Sequence, residues 1–93
     1  MLGQRIDSLR RALGWSQVEL AKRLGVAKQT VSNWENDNIQ PSVEMLVRLA
    51  KLFRVTTDYL LGLEDTPRIS TEGLPDTVTA HICLLIEDYR RML

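Results

Sequence analysis

Apolar residues recur along this chain at the three- and four-residue intervals of a helix, and no run alternates in the manner of a strand. Leu2, Ile6, Leu9 and Leu13 predict an amphipathic helix over residues 2–13, ended by Gly14. Ser16 opens a capping box, with Glu19 placed to reach back to its amide. The helix that follows is expected to bury Val18, Leu20, Ala21 and Leu24 and to stop at Gly25. A third helix, from about Ala27 to Asn36, has Val31 and Trp34 as its only large inward residues. NDNIQPS reads as a loop of turn formers. Ser42 caps a fourth helix whose inner face is Val43, Leu46, Leu49, Ala50 and Phe53. Thr56 caps a short fifth, TDYLL, closed by Gly62. Residues 63–75 hold two prolines and a glycine without periodicity and are expected to be a linker; Asp76 then caps a last helix running to residue 93. The prediction is an all-α chain: five short helices within 1–62, a linker over 63–75 and a C-terminal helix over 76–93.

The third helix is unusual in what it leaves outside. With Val31 as zero and about 100° per residue, Ala27 and Trp34 fall within about 60° of it, whereas Gln29 and Asn33 lie roughly 160° away on either side. These two amides are four residues apart and stand one above the other. Gln and Asn can each bond N6 and N7 of an adenine together in the major groove of double-stranded DNA. Lys28 suits a guanine edge or a phosphate, and Thr30 and Ser32 flank the row. A merely solvated face favours Glu, Lys and Gln, whereas Thr, Ser and Asn are poor helix formers. The preceding residues also build an elbow. Ala21 lies where two helices cross closest, Gly25 permits the sharp turn, and Val31 follows six residues later. That is the helix-turn-helix pattern, over about residues 17–36.

Residues 2–62 resemble the Cro/C1-type (XRE-family, lambda repressor-like) helix-turn-helix domain of phage and bacterial repressors. SQVELAKRLGV, QTVSNWEN, PSVEMLVRLAKLF and VTTDYLLG match that pattern in order and at the usual separations. The resemblance implies a five-helix fold with its third helix in the major groove, and a sequence-specific transcriptional regulator, read as a repressor. It implies base contacts at Lys28, Gln29 and Asn33, with Thr30 beside them. Phosphate is expected at Gln17, helped by a helix N-terminus, with Ser16, Ser32, Asn36 and Asn38 as the further candidates. Arg10 and Glu35 match a pair that such domains often join as an ion bridge; separate surface charges are the alternative. Two departures stand out. Ala27 replaces the usual Ser or Thr cap of helix three, forfeiting about 1 kcal/mol. ENDNIQP stands where the family commonly has ENGKRQP, so Asp37 replaces a turn glycine and Asn38 a base. A negative charge facing phosphate there predicts weaker non-specific affinity and a shallower salt dependence.

In the tail, Val78, Ile82, Leu85, Tyr89 and Met92 follow the spacing of an a/d seam, widened by Ile86 and Leu93. The sharper reading is a homodimer interface, which lets two recognition helices read a palindrome with half-sites about 34 Å apart. The alternative is that the helix folds back into a groove of its own domain.

Ninety-three residues allow one small domain plus an appendage, with no room expected for a catalytic or ligand-sensing domain. Net charge is zero, but residues 1–62 carry nine Lys/Arg against six Asp/Glu, a balance of +3, and residues 63–93 carry three against six, a balance of −3. Such asymmetry is a weak pointer to a polyanion. One cysteine, Cys83, excludes a disulfide framework, and His81 two residues away makes no metal site with it. No apolar run approaches the length of a membrane span and no signal-peptide core is present, so a cytoplasmic, nucleoid-associated protein without a membrane partner is expected. With one His and no phosphate-cradling glycine loop, an enzyme is not expected, nor a cofactor, nor a small-molecule ligand. The competing function is an antitoxin or anti-regulator module whose C-terminal helix binds another protein.

Overall fold

The computed structural model describes residues 1–93 and contains six helices: α1 (Leu2–Ala12), α2 (Gln17–Leu24), α3 (Lys28–Glu35), α4 (Val43–Phe53), α5 (Thr57–Leu60) and α6 (Asp76–Met92). α3 lies against both α1 and α2, while α5 lies against α4 and α1. All five of these helices feed one core of Ile6, Leu20, Ala21, Leu24, Val31, Trp34, Leu49, Ala50, Phe53 and Leu60. Trp15, between α1 and α2, stacks on Phe53 at 6.2 Å and carries the Arg23 guanidinium over its ring at 4.1 Å.

The hydroxyl caps form as the sequence requires. Ser16, Ser42 and Thr56 accept from the amides of Glu19, Met45 and Tyr59. The capping box stays half made, because the Glu19 carboxylate pairs with Arg23 at 3.0 Å instead of returning to Ser16. Asp76 does not cap α6. Pro75 holds that position without a side-chain acceptor, and Asp76 is the first residue inside the helix.

Three residues expected inside are outside. Val18 is 46% exposed and Val43 79% exposed. Each is apolar near a helix start but off the buried stripe: Val18 lies about 160° round α2 from Leu20, and Val43 about 120° round α4 from Leu49. Leu13, half exposed, falls just past the end of α1.

α6 buries none of its residues. The radius of gyration is 15.1 Å and the principal extents are 42 × 30 × 25 Å, against about 13 Å expected of a globular 100-residue domain. The last helix therefore stands away from the core, and the fold-back alternative is not what the chain adopts. No helix is long and apolar enough to cross a membrane.

Candidate nucleic-acid interface

The elbow between α2 and α3 is built from backbone geometry first. Gly25 has φ 70° and lets Val26 N reach Ala21 O at 2.9 Å, closing α2. Ala21 is buried at the crossing. Arg48 reaches over from α4 and donates to Leu24 O at 2.8 Å, satisfying another terminal carbonyl of α2. α3 then leaves at an angle fixed by Val31 and Trp34, which are 0% and 4% exposed.

On the opposite side, Gln29 is exposed and Asn33 half exposed. Gln29 Nε2 donates to Asn33 Oδ1 at 3.2 Å, so the two amides share one ordered row along the helix. Lys28 opens the helix, exposed and without a carboxylate partner. Thr30 and Ser32 are half-buried on its flanks. Ser32 Oγ accepts from Asn36 Nδ2 at 3.3 Å, linking the last turn to the residue that closes it. Asn38 is exposed beyond. Ala27 sits in the extended conformation of an N-cap without a side chain to cap.

Behind this face lies a charged joint. Arg10 is only 6% exposed. It donates to both carboxylate oxygens of Glu35, at 2.7 and 3.1 Å, to Trp15 O at 2.8 Å and to Asp7 at 2.8 Å. The Glu35 bond raises the Arg10 pKa above its ordinary value against the effect of burial. The Arg11 hydrogen bond, aided by the charges of Arg11 and Arg10, lowers the carboxyl of Asp7 against its own burial. Gln17 joins the group: its Nε2 donates to Glu35 Oε1 at 2.9 Å, so this amide is oriented by the ion pair and not free. Its half-exposed side chain keeps its carbonyl oxygen and a second N–H. Ser16, at the same helix start, already accepts from Glu19 N.

The Asp37 side chain is 57% exposed, with Oδ2 3.7 Å from the N-terminal amine of Met1. Oδ1 accepts the Gly3 N–H at 3.1 Å, and the group faces the start of α1. Gly3 itself escaped the sequence reading, because its need is tertiary: a Cβ there would lie 2.6 Å from Glu35 O. Only its place inside an otherwise periodic helix gave any sign of it. No group of three His, Cys, Asp or Glu side chains could hold a metal ion.

Residues 6–60 match the helix-turn-helix family model. The HTH-type transcriptional regulator ImmR of Bacillus subtilis is 36% identical over 67 residues, 72% of this chain and 53% of ImmR. The chain spans between about half and three-fifths of the length of the curated relatives it matches first. Among solved structures, the phage P22 c2 repressor in complex with a synthetic operator superposes with a TM-score of 0.62 at 35% identity, covering 64% of this chain and 91% of that one. A SinR/SinI protein complex contains a chain that aligns over 100% of both lengths, with a TM-score of 0.63 at 28% identity.

Proposed function

We propose that this chain, which belongs to the helix-turn-helix family, is a sequence-specific regulator that binds a palindromic operator in double-stranded DNA as a homodimer, with α3 in the major groove. One observation carries the reading. α3 buries Val31 and Trp34 and turns Gln29 and Asn33 outward as a joined amide row. Polar atoms on a rigid helix, with donors and acceptors at fixed heights, are what base edges require. Lys28 and Thr30 complete the base-facing set. Gln17, held by Glu35, and Ser16, Ser32, Asn36 and Asn38 around the rim position the protein on phosphate. The operator complex of the P22 c2 repressor supports this reading by likeness of fold and sequence.

Dimerisation is assigned to α6. Val78, Leu85, Tyr89 and Met92 are all exposed there, Ile86 is 38% exposed and Ile82 half-buried. An apolar seam left bare on a projecting helix is one half of an interface. A second reading, in which α6 grips a different protein, is favoured by the full-length likeness to a chain solved in a SinR/SinI complex.

Selection of bound duplexes from a random pool tests the proposal. An enriched inverted repeat with half-sites about one helical turn apart is expected. Failure to enrich any sequence would remove the base-reading role, and an asymmetric single site would remove the dimer.

A further inference from the structure

α3 is closed by two backbone bonds, Asp37 N to Trp34 O at 3.1 Å and Asn38 N to Asn33 O at 2.9 Å. This is the Schellman arrangement, whose turning residue lies in the left-handed region and is least strained as glycine. The chain uses glycine for the positive-φ turns at Gly14, Gly25 and Gly62, and Arg54, with φ 60°, closes α4. After α3 it uses Asp37, with φ 57°. A side chain is therefore kept at 37 against a conformational cost, although Asp tolerates the turn better than most.

The side chain has a definite task. α1 begins without a cap of its own: Met1 supplies no side-chain acceptor and the first turn holds no acid. Its early amides lack partners within the helix. Asp37 Oδ1 takes one of them, the Gly3 N–H, at 3.1 Å. Gly3 makes the approach possible, since a Cβ there would come within 2.7 Å of that same oxygen. The carboxylate also sits at the positive end of the α1 dipole, where a negative charge is favoured.

We propose that Asp37 is a positioning residue for DNA binding: a cap supplied across the fold that ties the α3–α4 loop to α1 and fixes where Asn36 and Asn38 meet the phosphate backbone. Its carboxylate, 57% exposed, is shared between the Gly3 amide at 3.1 Å and the N-terminal amine of Met1 at 3.7 Å, and in this reading that engagement, not burial, keeps it from opposing the DNA. This rests on the reading of α3 as the recognition helix.

The test uses the full chain with Asp37→Asn and Asp37→Gly, titrated with the operator selected by the wild type at several salt concentrations. Asp37→Asn keeps an acceptor and tolerates the turn, so wild-type affinity and salt slope are expected. Asp37→Gly keeps the turn but removes the clamp. It is expected to bind several-fold more weakly, with the salt slope unchanged and the Gly3 amide losing its protection from hydrogen exchange. Equal or tighter binding by Asp37→Gly would overturn the proposal. So would a slope steepened by nearly one unit in Asp37→Asn, the sign of a charge that had faced phosphate. If the wild type bound no duplex, the DNA-binding reading would fail and this one with it. Failure confined to Asp37→Gly leaves that reading standing.

Discussion

Replacing Glu35 by alanine removes one half of the joint that holds α1 to the end of α3. The side chains of Arg10 and Glu35 are 7% and 6% exposed and are joined by two bonds, at 2.7 and 3.1 Å. Breaking a buried pair from one side costs about 3–5 kcal/mol, because the remaining charge stays buried without compensation. Here the guanidinium keeps Asp7 and Trp15 O, both at 2.8 Å. That retained support places the expected loss near the lower end, at about 3 kcal/mol. Gln17 loses its acceptor in the same substitution. A loss of that size is a large share of the roughly 5–15 kcal/mol that stabilises a small domain. At about 4–8 °C per kcal/mol it lowers Tm by about 12–24 °C. Urea denaturation followed by helical circular dichroism reads the change as a lower midpoint at an unchanged slope. The pair Arg10→Met with Glu35→Leu fills the same space without charge and should regain most of the loss. A loss under about 1 kcal/mol in Glu35→Ala, the range of an exposed pair, would refute the claim that this joint is closed to water.

Gln29→Ala and Asn33→Ala should each weaken specific binding by about 1–3 kcal/mol with the thermal midpoint unchanged; undiminished preference for operator over random duplex in both would end their assignment. Deleting residues 76–93 should convert a dimer to a monomer in light scattering and lower operator affinity, and a truncated chain that remained dimeric would remove that role from α6. Ala27→Ser should stabilise the domain by about 1 kcal/mol in the same urea assay, because Ala27 already has φ −76° and ψ 151°, the backbone of a capping residue. The Asp7 carboxyl, lowered first by the Arg11 hydrogen bond, stabilises the fold fully above the ordinary carboxylate value of about 3.9 and loses that contribution as pH falls through its own lower value. Asp7→Asn should therefore flatten the loss of stability below about pH 4, and an unaltered acid limb would show that Asp7 takes no part in it.

Local chemistry settled much of this protein from its order of residues alone. Apolar spacing of three and four placed the longer helices, Thr56 and Gly62 bracketed the short fifth one, glycines at 14 and 25 marked further turns, and Ser16 and Ser42 marked further caps, because these preferences act over a single turn of chain. The polar row of α3 was likewise visible, since burial of Val31 and Trp34 forces its neighbours outward. What lay beyond one turn had to await the packed structure. Whether Arg10 and Glu35 meet depends on how α1 docks against α3, and that docking also turns Gln17 toward Glu35. Gly3 and Asp37 have no local signature of their bond, which joins residues 34 apart. Val18 and Val43 count as apolar in any pattern, yet they fall outside the stripe that the neighbouring helices cover. Spacing tells which residues share a face; only the approach of other helices determines which part of that face is closed to water.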